Sequence, residues 1–175
     1  MAFSALSLAV WVCAPENAAT GALALAAGAA NLWRLSRWRG CAARRDPLVL
    51  VLHAGFFFFA AAGFLAVGAH ALWPSQVPYA IGMHVWAIGA AGVMTLAMMT
   101  RATLGHAGRA LVASKATQLA YVLVIGALLA RIAMALATEF ALPLMDLAAC
   151  SWVLAFAAFL YAYAPMLVGR TSSIG

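Results

Sequence analysis

Charge is scarce in this sequence. Of 175 residues only 8% are charged, with four Asp and Glu against ten Lys and Arg, while 67% are apolar. A water-soluble domain carries about 25% charged residues and about 45–50% apolar ones. A globule of this length cannot bury so much apolar surface, because about a third of it would stay wet. The composition therefore excludes a soluble enzyme and a disordered chain. Cysteine is also rare: Cys13, Cys41 and Cys150 lie far apart with no C-x-x-C pair. That excludes a disulfide-stapled secreted module and a zinc-finger spacing. The apolar start lacks the basic segment of a secretory signal, and Val-Trp-Val before Cys13 lacks the small residues of a lipidation site. The few acidic residues, Glu16, Asp46, Glu139 and Asp146, form no catalytic carboxylate pair. No nucleophile elbow or phosphate loop is present, and the net charge of +6 reads as orientation signals, not as a nucleic-acid patch.

What remains is long hydrophobic runs, and the fold they predict is all-α: a polytopic membrane helix bundle of about six transmembrane helices, forming one domain over 1–175. A spanning helix needs about 20 residues. Residues 1–14 are apolar but cover only about 21 Å at ~1.5 Å per residue, so the first span is marginal. Pro15-Glu16-Asn17 ends it, and an Ala-rich second span runs over 18–35. Asp46-Pro47 supplies a helix start, with Asp accepting orphan amides and Pro at the first helical position. The third span, 47–72, carries no formal charge. A turn rich in Pro precedes the fourth, 79–100; Ser114 caps the fifth, 115–138; the sixth runs over 142–163 to a stop at Pro165.

Alternate connections differ in positive charge. Arg34, Arg37, Arg39, Arg44, Arg45, Arg101, Arg109, Lys115 and Arg170 all lie in or adjoin the connections after spans two, four and six. The other connections carry no Lys or Arg and hold Glu16 and Glu139. The positive-inside rule then places both termini in the cytoplasm.

Within so apolar a chain, the polar exceptions carry the information. His53 lies about two turns inside span three, His70 closes it, His84 lies one to two turns into span four, and His106 falls in the connection after it. A neutral imidazole suits haem iron and copper because it donates a lone pair without a buried charge. A hairpin about Val77 puts His70 and His84 at similar depth. At ~100° per residue, His84, Ala91, Thr95 and Met98 share a face, with Gly82, Gly89 and Gly92 nearby to admit a macrocycle or another helix. The plainer alternative is that each His hydrogen-bonds a neighbouring helix and the glycines only pack. Met94, Met98 and Met99 could hold Cu(I), though methionine is common core filler. Arg131 is the costliest residue, about 2.5–3.5 kcal/mol at mid-membrane. It either snorkels to the interface with help from Glu139 or Asp146, or faces a haem propionate or anionic intermediate. Phe56 to Phe59 point in every direction and read as lipid and helix contacts.

The stretch from His84 to Arg109, H-V-W-A-I-G-A-A-G-V-M-T-L-A-M-M-T-R-A-T-L-G-H-A-G-R, resembles the NnrS family, bacterial membrane proteins of nitric oxide response and denitrification described as containing haem and copper. R-D-P-L-x-x-x-L-H at Arg45 to His53 and Y-A-P-M-L at Tyr163 to Leu167 look like the same family, and Arg131 falls where the family tends to carry arginine. The likeness covers roughly residues 30 to 168. Members of that family look about twice as long, and the chain resembles their C-terminal half, so a second copy or a partner membrane subunit is expected to supply what the other half provides.

The resemblance implies haem, with copper as a further cofactor, and makes His53, His84 and His106, which match histidines of the family's motifs, candidate ligands. A single haem could be gripped by His53 with His106, or by His70 with His84. Copper could then use the remaining imidazole with Met98 or Met99. Arg101 and Arg109 could hold propionates or only anchor the connection to anionic lipid. The expected protein is a haem-binding protein of the bacterial inner membrane, with copper as a further metal, that takes nitric oxide as a ligand, more a metal binder than an enzyme. The alternatives are a membrane electron-transfer or nitric oxide reductase-like enzyme, and a structural or assembly subunit without cofactor.

Overall fold

The computed structural model describes residues 2–38 and 42–169. Arg39, Cys41 and Arg170, counted above, lie outside the described residues. The described chain forms six helices and no strand. These are α1 (Ala2–Cys13), α2 (Ala18–Ser36), α3 (Pro47–Leu72), α4 (Tyr79–His106), α5 (Lys115–Leu136) and α6 (Ala141–Leu167), the last preceded by a 3-10 turn, Thr138–Phe140. Among the described residues α3, α4, α5 and the stretch Thr138–Leu167 are long and apolar enough to cross a membrane. Helix α1, of 12 residues, covers about 18 Å. Helix α2 has the length, at 19 residues, but carries Asn31 and Arg34 in its second half.

The helix starts follow the local chemistry. Asp46 Oδ1 accepts from the amides of Leu48 at 2.9 Å and Val49 at 3.4 Å, and Pro47 fits the first turn because it has no amide to leave unpaired. Ser114 Oγ accepts from Thr117 N at 3.1 Å, and Asn17 Oδ1 from Ala19 N at 2.8 Å. The far end of α4 differs from expectation. The helix continues through Arg101 to His106, so His106 is helical and does not lie in the connection. It stops there because Gly108 turns left-handed, with φ 63°, while Arg109 N donates to Leu104 O at 2.9 Å. Likewise Pro165 sits inside α6, which ends two residues later; at the last turn its missing amide removes little.

Neither α3 nor α4 is α-helical throughout. Phe58–Ala62 and Val85–Gly92 are π-helical, and the two segments face each other. Backbone carbonyls loosened by such turns need other donors inside a membrane, and the Trp86 indole supplies one to Phe59 O at 3.2 Å. Gly63 makes room for it, since a Cβ there would meet Trp86 Nε1 at 2.0 Å. A π turn holds an extra residue, so residues before and after it lose the shared face a regular helix would give them. His84 is half-buried, whereas Ala91, Thr95 and Met98 are exposed.

Large side chains of α3 to α6 fill the main core, among them Leu48, Leu96, Val124 and Phe159. A smaller cluster joins α2 to α3 through Ala24, Ala27, Phe64 and Val67; α1 packs on α2, and its Trp11 stands edge-on to Trp86 of α4 at 5.1 Å.

Candidate functional site

At one end of the bundle lie the ends of α2, α4 and α6 and the starts of α3 and α5, together with Arg34, Arg37, Arg44, Arg45, Arg101, Arg109 and Lys115. At the other lie His70, His84 and Arg131. The four imidazoles have four different surroundings. His53 donates from Nδ1 to Val49 O at 2.9 Å, and its Nε2 faces Trp38 O at 3.4 Å. The Trp38 ring stands edge-on to it at 5.8 Å and packs on Phe56 at 4.5 Å, beside the Arg34 guanidinium. A neutral ring donates once, so His53 is engaged within an aromatic cluster rather than turned into a cavity.

His70 donates from Nδ1 to Val77 O at 2.8 Å and meets the Tyr79 ring at 5.4 Å. That bond fixes the tautomer and leaves the Nε2 lone pair unused, the arrangement that orients a metal-ligating His. His84 lies near Arg131 of α5, close enough for their charges to interact. The glycines near it in the sequence do not frame a macrocycle. A Cβ on Gly82 would strike Val67, on Gly89 Phe58 and Leu128, and on Gly92 Trp152. They admit neighbouring helices.

His106 is exposed and lines a groove of about 440 Å³ between α4 and α6, together with Met99, Thr103, Phe159 and Met166. This groove is lined by an imidazole together with two thioethers. Met98 does not share this groove and is 55% exposed on the outer face of α4. Among the described residues no group of three His, Cys, Asp or Glu is placed to hold a metal ion. His53 faces Trp38 and Phe56 while His106 lines the groove beside α6, and His70 meets Val77 and Tyr79 while His84 lies near Arg131. Arg101 is half-buried and lies near Tyr121, as does Asp46, while Arg109 is exposed beyond the helix end.

Sequence reading missed a buried hydroxyl network at this end. Thr100 Oγ1 of α4 pairs with the Tyr121 hydroxyl of α5 and also donates to Ala97 O at 2.8 Å. Thr117 Oγ1 of α5 pairs with the Tyr163 hydroxyl of α6 at 2.8 Å, and with Ser114 Oγ at 2.9 Å. Thr100 and Tyr163 both belong to the motifs quoted above, and their contacts here are interhelical. Met166, from the same Y-A-P-M-L segment, was also missed, because its role depends on which way α6 faces.

Arg131 is half-buried on α5 and lines a cavity of about 600 Å³ shared with α4 and α6. Neither Glu139 nor Asp146 forms an ion pair with it; its one polar contact among the described residues is the Met134 thioether, at 3.7 Å. A thioether is a weak acceptor, so the guanidinium lacks the partner that membrane depth demands.

No curated protein and no solved structure shows a detectable match to this chain. The family model described as "NnrS protein" matches residues 1–170, which extends beyond the motifs on the N-terminal side and takes in α1 and α2. The chain therefore belongs to the NnrS family.

Proposed function

We propose that this chain is an NnrS-like integral membrane protein that binds haem, and copper as a second metal, and takes part in the nitric oxide response of the bacterial inner membrane, with both termini cytoplasmic. The observation that carries the reading is the groove where His106 meets Met99 and Met166. One imidazole with thioethers is a donor set for haem iron or Cu(I). His106 would be the nitrogen ligand, Met99 or Met166 the sulfur ligand, and Arg109 just beyond the helix end a cation for propionates. Haem held by the His106 imidazole would supply the iron chemistry for a diatomic ligand such as nitric oxide where the weakly binding thioether gives way to it. Phe159 and the exposed ends of α4 and α6 would keep the groove apolar. His70, its tautomer already set, and His84 beside Arg131 are the further ligands at the opposite end.

A second reading, a bundle without cofactor, is favoured by one observation: both ring nitrogens of His53 face backbone carbonyls of the chain itself. The absorption spectrum of detergent-purified protein made with haem available, with pyridine haemochrome and metal analysis, separates the two. The expected result is a Soret band that His106→Ala abolishes and that Met166→Leu shifts, while His53→Ala leaves it in place. A colourless, metal-free wild-type protein overturns the proposal. Consumption of nitric oxide with an electron donor would instead mark a reductase-like enzyme.

A further inference from the structure

The cavity beside Arg131 has two unlike parts. Its wall is apolar: Ala127 of α5, Ile88 of α4, and Ala148, Trp152 and Val153 of α6. Its one charge is the Arg131 guanidinium, which has no carboxylate partner. Ala87, Met145, Ala149 and Val153 on the rim are exposed, so the cavity opens sideways, toward where lipid lies around a spanning bundle. Depth orders the two parts. Arg131 sits five residues before the end of α5, about 7 Å inside it, whereas Trp152 and Val153 lie toward the middle of α6. A cation near the headgroup level above an apolar cleft running inward matches a molecule with an anionic head and a hydrocarbon tail. A free inorganic anion would leave the cleft bare, and a neutral lipid chain would leave the guanidinium unpaired.

We propose that this cleft holds one anionic phospholipid of the adjoining leaflet, its phosphate paired with Arg131 and one acyl chain lying against Ala127, Trp152 and Val153. A guanidinium meets a phosphate through two parallel N–H donors, a geometry lysine lacks. This site lies at the opposite end from the His106 groove.

The test is native mass spectrometry of the full chain released from nanodiscs of equal phosphatidylglycerol and phosphatidylcholine. The wild type is expected to retain one phosphatidylglycerol selectively. Arg131→Gln should lower that retention by about tenfold or more, the loss expected for a charge-assisted hydrogen bond. Arg131→Lys should keep part of it, and Arg34→Gln, which removes a cation at the other end, should keep all of it. Ala149→Phe, filling the cleft while leaving the arginine, should also release the lipid, and it serves if Arg131→Gln fails to fold. Equal retention of both lipids, lipid retained in Ala149→Phe, or displacement by palmitate at stoichiometric concentration would each overturn the proposal. So would a haem band lost in Arg131→Gln with phosphatidylglycerol still bound.

Discussion

The α1–α2 hairpin and the four helices α3 to α6 face the same membrane problem with different material. Helices α3 to α6 interlock large side chains, Leu48, Leu96, Leu128 and Phe159 among the fully buried ones, and join α4, α5 and α6 through paired hydroxyls. Helix α2 instead meets α3 along small residues. Gly21, Ala24 and Gly28 recur on one face of α2, and a Cβ on Gly68 of α3 would lie 2.8 Å from Gly21 O. Lipid tails are as apolar as leucine, so helices in a membrane gain from close fit and not from escaping water. The core achieves that fit with interdigitated bulk. The hairpin achieves it by backbone approach, and its α1 even leaves the buried Ser7 hydroxyl without a partner among the described residues.

The comparison breaks most visibly at Gly68. A Cβ there would meet the Leu25 side chain and also Gly21 O and Leu25 N at 2.8 and 2.9 Å, backbone atoms that cannot swing aside. Gly68→Ala is expected to cost about 1–3 kcal/mol of stability in detergent and to expose α2 to protease while α3 to α6 stay folded. Equal destabilisation of the whole bundle would show that the hairpin is not a separate unit. Within the core a smaller effect is expected. Tyr163→Phe leaves the Thr117 hydroxyl with only Ser114, and Thr117→Val leaves Tyr163 unpaired. Each single change should lower stability, and a double-mutant cycle should give a coupling of about 0.6–1.7 kcal/mol. A coupling of zero would mean the pair merely sits together.

Much of this was legible in the sequence, and the limits have physical causes. Asp46-Pro47 and Ser114 mark helix starts because capping is decided within three or four residues, and the runs of uncharged residues mark spans because hydropathy needs no partner. The π segments were not legible: Phe58–Ala62 and Val85–Gly92 contain ordinary helix residues, and their widening follows from how α3 and α4 pack on each other. Once α4 is so widened, the expected face of His84 with Met98 dissolves. The end of α4 was misjudged because Arg101, Thr103 and His106 look like a connection, yet the Thr103 hydroxyl turns back to Met99 O at 2.8 Å and the helix continues. Motifs drew attention to His53, His84 and His106 but not to their surroundings. Thr117 and Tyr163 meet across 46 positions of sequence, and only helix rotation brings them, or Met166 and His106, together.

The smallest expected effect lies where the hairpin borrows the core's device. Asn31 is buried on α2, and its Nδ2 donates to Ser4 Oγ of α1 at 2.8 Å and to Ala27 O at 2.9 Å. The bond to Ala27 lies within α2, so only the bond to Ser4 ties the two helices. Asn31→Ala removes both, but the Ala27 carbonyl keeps its helical amide and Ser4 lies at an edge where its hydroxyl can return to its own backbone. The loss should therefore be about 0.6 kcal/mol, the average for a hydrogen bond between membrane helices. Its consequence is local. Hydrogen exchange should rise in α1 and leave α2 against α3 protected, since Gly21 and Gly28 still seat it. If α2 loosened as well, the small-residue seam would be too weak to hold the helix alone, and Asn31 would be the clamp of the whole hairpin.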